Sequence, residues 1–178
     1  RRFVLSHALR GGAARATDRS AVLLLELDDF KSVNESHGFA SGDRVLVELG
    51  DLLSRCVRGG DVVARWSGVE FLLLLPGLDE SGTLELAERI RARVAGHEFR
   101  AEDESPLRLT ATIGFAHHVP DESDGDGIEQ TLDLADAALQ RAKRRGRNRV
   151  SGLRRLHRAL PPRVQQPEVE ALVAEGRL

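Results

Sequence analysis

The sequence predicts a three-layer α/β domain with a central mixed sheet of about five strands flanked by helices. Two observations predict it. Short apolar runs of strand length alternate with longer segments of helical periodicity, the pattern of strand-helix crossovers. Within that alternation, Asp61 to Trp66 and Val69 to Leu75 are separated only by Ser67-Gly68. A two-residue loop of this kind makes a tight hairpin, so the sheet mixes antiparallel with crossover connections.

Taken in order, residues 1 to 17 read as the end of a helix, and the turn-prone Thr17 to Ser20 leads into the apolar strand Ala21 to Leu27. A short helix follows over about 29 to 36. Gly42-Asp43 opens a stronger one, with Val45, Leu46, Leu49, Leu52, Leu53 and Cys56 on one face and Gly59-Gly60 stopping it. After the hairpin, which Pro76-Gly77 ends, Leu84, Ala87, Ile90 and Val94 mark the apolar face of a further helix. Leu107 to Ala116 reads as one long strand, Pro120 to Gly127 as an acidic loop, and Ile128 to Lys143 as an amphipathic helix.

The chain has 178 residues, close to the size of a single domain. Residues 1 to 150 are read as that domain. From Ser151 onward the character changes, with Pro161-Pro162 and Gln165-Gln166-Pro167 preceding a short amphipathic piece, so 151 to 178 is read as a linker or lead-in to a following domain. The absence of Met and the Arg1-Arg2 opening suggest a piece of a longer protein. Its apolar runs fall far short of the roughly 20 residues needed to cross a bilayer, which excludes a membrane segment in the sequence. A single cysteine, Cys56, rules out an internal disulfide framework and suits a reducing, cytoplasmic setting.

The net charge of −2 argues against a protein that coats nucleic acid, yet residues 141 to 158 carry nine Lys/Arg and no Asp/Glu. That basic run lacks interleaved aromatic residues, so it is not read as a nucleic-acid site. His117 and His118 are neighbours on a strand and face opposite ways, which argues against a shared metal.

Three segments, in this order, resemble the GGDEF family of diguanylate cyclases, which condense two GTP into cyclic di-GMP. The first is Leu24 to Glu35 (LLELDDFKSVNE) with Gly38 and Gly42-Asp43; the second is Arg65 to Phe71 (RWSGVEF) running into Leu75-Pro76; the third is Ala135 to Asn148 (ADAALQRAKRRGRN). Thr110 to Gly114 also matches the family's strand before its final helix. The resemblance covers about residues 1 to 150. Pro167 to Leu178 resembles the lead-in to an EAL phosphodiesterase domain, which implies such a domain as a covalently attached partner.

The resemblance implies a nucleotide site. The backbone of Asp29, Phe30 and Lys31 would hold phosphates at a strand-to-helix turn, with Gly68 leaving room at the hairpin. Asn34 and Asp43 would read the guanine edge, and Lys143 and Arg147 would contact phosphate. The same side chains have structural readings: Asn34 and Asp43 can cap helices, and Lys143 and Arg147 can complement a helix C-terminus.

It also implies Mg²⁺, held by a carboxylate ending the first strand, the next carbonyl and an acidic hairpin residue. Here those positions are Glu26, the Leu27 carbonyl and the hairpin Ser67-Gly68-Val69-Glu70-Phe71. Val69 replaces the acidic residue, and an isopropyl group neither ligates metal nor accepts a proton. Glu70 is retained, but neighbouring strand residues point to opposite faces, so it is not expected to take over. Ser67 adds a side chain where the family has glycine, and Phe39 stands where a histidine is usual. The catalytic positions Glu26, Ser67, Val69 and Glu70 are therefore read as degenerate, and Mg²⁺ at Glu26, Leu27 and Glu70 as poorly supported.

Arg58-Gly59-Gly60-Asp61 matches the family's RxxD product-binding motif in register with the hairpin, and Arg89 matches a second arginine of that site. Arginine can grip a phosphate or guanine edge bidentately, and aspartate can accept from guanine N–H groups. No metal is implied there. The expected function is that of an inactive, regulatory domain sensing cyclic di-GMP, GTP or both. The alternatives are an active cyclase using Glu26 and Glu70 with Mg²⁺, and an interaction scaffold that binds no nucleotide.

Overall fold

The computed structural model describes residues 20–118 and 127–153. Strand β1 (Ser20–Leu27) leads into helix α1 (Phe30–Ser54), and β2 (Val62–Ser67) and β3 (Glu70–Pro76) form the hairpin. Helix α2 (Glu80–Gly96), the short pair β4 (Phe99–Arg100) and β5 (Pro106–Leu107), strand β6 (Ala111–His118), helix α3 (Gly127–Arg144) and strand β7 (Val150–Leu153) follow. The main sheet has five strands in the order β2-β3-β1-β6-β7. All its pairings are antiparallel except β6 with β7, which is parallel, so the sheet is mixed as expected.

The near-continuous apolar runs of β1 and β3 are explained by cover on both faces. Leu23, Leu25, Leu27, Leu73 and Leu75 pack on one side with Val45, Leu49, Leu53, Ala87 and Ile90 of α1 and α2. Val22, Leu24, Leu72 and Leu74 pack on the other with Leu134, Ala135, Ala138 and Leu139 of α3. Helix α3 lies so close to β6 that a Cβ built on Gly114 would fall 2.2 Å from the Leu139 backbone nitrogen.

Several local expectations change. The two helices predicted around residues 29 to 54 form one element with a non-helical break at Gly38 (φ 80°, ψ 165°). The hairpin turns at Gly68-Val69 instead of Ser67-Gly68, because the register shifts between Arg65 and Ser67 and Ser67 pairs with Glu70. The strand predicted from Leu107 begins at Ala111, opposite Leu27 at the end of β1, while Leu107 itself pairs with Phe99 in the short β4–β5 sheet. Leu84 is exposed, and Thr83 lies on the buried face of α2 instead. Strand β7 carries the sheet to Leu153, three residues past the boundary drawn at 150. The helix end at 1 to 17, most of the acidic loop before α3 and the Pro167 to Leu178 piece lie outside the described residues. Among the described residues, no helix is long and apolar enough to cross a membrane.

Candidate functional site

The end of β1, the start of α1, the hairpin and the last turn of α3 supply the residues of the first cluster. β1 ends in Glu26-Leu27, and after Asp28 the residue Asp29 turns the chain in a left-handed conformation (φ 52°) into α1. Its side chain makes no capping bond to the helix, whose first turn holds no acidic residue. The backbone N–H groups at Phe30 and Lys31 therefore begin a positive helix end without a capping carboxylate. The Asp29 carbonyl accepts from the Ser32 N–H at 3.0 Å and the Ser32 hydroxyl at 2.8 Å. Arg147 Nε lies 3.8 Å from the Asp29 carboxylate, while Lys31 pairs with Glu35 on the solvent side.

The break at Gly38 has a local consequence. Residues eight apart in an unbroken helix are separated by about 12 Å along the axis. Here a Cβ built on Gly42 would fall 2.0 Å from Asn34 Oδ1, so the carboxamide sits against Gly42, beside exposed Asp43. Asn34 and Asp43 are thus brought close together. Phe39, just after the break, is 79% exposed.

Glu26 on β1 stands directly opposite Glu70 on β3. Residues facing each other in an antiparallel pair share a sheet face, so both carboxylates lie on the face that α3 covers. Glu70 is therefore presented beside Glu26, on the face opposite to that of its neighbour Val69. Val69 in the turn packs against the apolar core on the other face. The Lys143 ammonium, from the last turn of α3, forms an ion pair with Glu26, and the two side chains are only 21% and 23% exposed. At the hairpin tip, Arg65 Nε donates to the Gly68 carbonyl at 2.7 Å, and Gly68 holds a left-handed φ of 46°.

A divalent ion at this end of the sheet would have to share Glu26 with an ammonium. Leu27 can bring only its backbone carbonyl, Val69 brings no donor, and no group of three His, Cys, Asp or Glu able to hold a metal occurs among the described residues. This donor set does not fit a resident Mg²⁺.

The neighbouring residue Asp28 was given no role by the sequence, yet it is the most connected side chain of the region. Buried to 6% exposure, it accepts from the Thr110 and Thr112 hydroxyls, both at 2.6 Å, and from the Asn148 backbone N–H at 3.0 Å. It ties the end of β1 to the start of β6 and to the segment after α3. The signal was present as an aspartate ending a strand and a Thr-x-Thr elsewhere, but the partners lie 82 to 120 residues away in sequence.

The second cluster is the RxxD turn. The Arg58 backbone N–H and Nε donate to Asp61 at 3.0 and 3.2 Å, and Arg58 Nη2 donates to the Pro76 carbonyl. Asp61 is nearly buried, whereas the Arg58 side chain is 61% exposed. Arg89 of α2 donates to the Cys56 carbonyl at 3.3 Å. Arg58, Asp61 and Arg89 line one cavity of about 410 Å³, together with Leu78 and Glu85. A larger groove of about 620 Å³ between α1 and α2 is lined by Glu48, Asp51, Arg55, Arg93 and His97 and holds none of the motif residues. His117 and His118 diverge as expected, facing Thr83 and Thr131.

The sequence model of the family described as "Diguanylate cyclase, GGDEF domain" matches residues 2–149. The chain is 43% identical over 130 residues to diguanylate cyclase DgcM of Escherichia coli, covering 73% of this chain and 30% of that protein. It is 36% identical over 148 residues to diguanylate cyclase DosC of the same organism, covering 82% of this chain and again 30% of the relative. The chain thus spans less than a third of the length of these relatives. Among solved structures, the GGDEF domain of YfiN (also TpbB) from Pseudomonas aeruginosa matches with a TM-score of 0.74 and 32% identity, over 88% of this chain and 96% of that one. The GGDEF domain of DgcB from Caulobacter crescentus, solved in complex with cyclic di-GMP, matches with a TM-score of 0.70 and 27% identity, over 85% and 84% of the two chains.

Proposed function

Since the chain belongs to the GGDEF family, we propose that it is a catalytically inactive member acting as a regulatory, nucleotide-sensing module in cyclic di-GMP signalling. Cyclic di-GMP is taken up at Arg58, Asp61 and Arg89, and the cleft around Asn34, Asp43, Lys143 and Arg147 remains open to GTP. The observation that carries this reading is the placement of Arg58, Asp61 and Arg89 around one cavity. Asp61 holds the Arg58 backbone and guanidinium together, which reduces the ordering cost of gripping an anionic ligand. Two of the five N–H donors of that guanidinium serve these internal bonds. The similar DgcB domain, solved with cyclic di-GMP, supports the choice of ligand.

Inactivity is argued from Val69, which removes the hairpin carboxylate, and from the ammonium on Glu26. A second reading, an active cyclase, is favoured by the Glu26–Glu70 register and by the names of the related E. coli proteins. Titration calorimetry with cyclic di-GMP and product analysis after incubation with GTP and Mg²⁺ test the two readings together. The proposal expects binding without turnover. In a longer protein, the domain would pass nucleotide occupancy to an attached EAL or other signalling domain.

A further inference from the structure

We infer that the cleft binds a nucleoside triphosphate without a divalent cation, with the Lys143 ammonium standing in the ion's place. The inference rests on reading this cleft as a nucleotide site. Glu26 and Glu70 are directly opposed on one sheet face, and like charges so placed are unfavourable unless a cation is held beside them. The chain supplies that cation itself: Lys143 projects from α3, the helix covering the same face, and pairs with Glu26. Both partners are largely sheltered, so salt screens the pair less than it would an exposed one.

An ammonium has three N–H donors. It can hold the Glu26 carboxylate and donate to a phosphate oxygen at once, bridging the two as a metal ion would. A divalent ion at Glu26 would have to displace Lys143 or sit against its charge. The remaining phosphate charge meets Arg147, 3.8 Å from Asp29, and the start of α1, which lacks a carboxylate cap. Every one of these groups belongs to the chain.

The test is calorimetric titration of the whole chain with GTP, in Mg²⁺ and in EDTA, on wild type, Lys143→Met and Lys143→Arg. Free Mn²⁺ is followed separately by electron paramagnetic resonance without nucleotide. Wild type is expected to bind GTP with affinities within about threefold in the two buffers and to leave Mn²⁺ free. Lys143→Met is expected to lose at least about tenfold in GTP affinity, the scale of one charge-assisted contact, and to gain Mn²⁺ binding at Glu26, which loses its ammonium. Lys143→Arg, which keeps the cation, is expected to retain GTP binding in EDTA. GTP binding that is tenfold tighter with Mg²⁺, Mn²⁺ uptake by wild type, unchanged GTP affinity in Lys143→Met, or no GTP binding in either buffer would each overturn the inference. A parallel titration with cyclic di-GMP reads the RxxD cavity separately, and thermal melting of each variant reports whether it is folded.

Discussion

Glu26 of β1 and Glu70 of β3 stand directly opposite each other, and the ammonium of Lys143 is paired with the first of them. The cleft therefore keeps two carboxylates but not the one its hairpin turn would carry, since residue 69 there is a valine that packs, partly buried, against the apolar core. Incubation with GTP and Mg²⁺, followed by chromatography, is expected to yield no cyclic di-GMP. Product that appears with wild type and vanishes in Glu70→Ala would show that Glu70 does serve in place of residue 69.

Asp28 gives a stability prediction. Its carboxylate accepts three hydrogen bonds, so Asp28→Ala strands the buried Thr112 hydroxyl and removes the part-buried bonds from the Thr110 hydroxyl and the Asn148 N–H. The expected cost is roughly 3 kcal/mol, since one unsatisfied buried group costs about 1–3 kcal/mol and each part-buried bond lost about 0.5–1.5 kcal/mol. Urea denaturation measures it, and a loss below about 1 kcal/mol would mean that water replaces the carboxylate.

How much of this was legible in the sequence follows from where the partners lie. The apolar runs of β1 and β3, the α3 periodicity and the RxxD turn are local patterns, and each appeared within a residue or two of its expected place. The Glu26–Glu70 pairing depends on the hairpin register, and that was misplaced by one residue because the shift at Arg65/Ser67 leaves no local mark. Asp28 carries no local sequence signal because its acceptor role exists only once β6 and the segment after α3 arrive beside it. The contact of Asn34 with Gly42 required the break at Gly38, where a helix stop was read but its closing geometry was not.

Helix α2 carries a pH dependence. The Asp79 carboxylate accepts the Gly82 N–H at 2.8 Å and the Ser81 hydroxyl at 3.2 Å, and these bonds hold its pKa below the ordinary aspartate value. A lowered folded-state value means that the stabilisation is complete above the unfolded value, about pH 4, and is lost as pH falls through the folded one. Asp79→Asn keeps an N-cap acceptor but cannot ionise. Its stability, followed by thermal melting, is expected to fall less steeply than wild type below about pH 5, and an unchanged slope would contradict this.

Gly114 marks the closest approach of α3 to the sheet. A methyl group there would meet the Leu139 nitrogen at 2.2 Å and the Ala135 carbonyl at 2.3 Å, both backbone atoms that cannot rotate away. Gly114→Ala is expected to cost roughly 3 kcal/mol or more in chemical denaturation, at the upper end for overpacking. A cost under about 0.5 kcal/mol would mean that α3 is less tightly docked than described.

The central claim is that Arg58, Asp61 and Arg89 form a working site for cyclic di-GMP, and titration of wild type and Arg58→Ala with this ligand tests it most directly. The Arg58 side chain is 61% exposed and Asp61 keeps the Arg58 backbone N–H, so its removal is expected to leave the domain folded at a cost of about 1–2 kcal/mol for the lost bonds to Asp61 and the Pro76 carbonyl. The account predicts saturable binding by wild type and a loss of at least about tenfold in the variant, as expected for a charge-assisted bidentate contact. No binding by wild type, or equal affinity in Arg58→Ala, would contradict it.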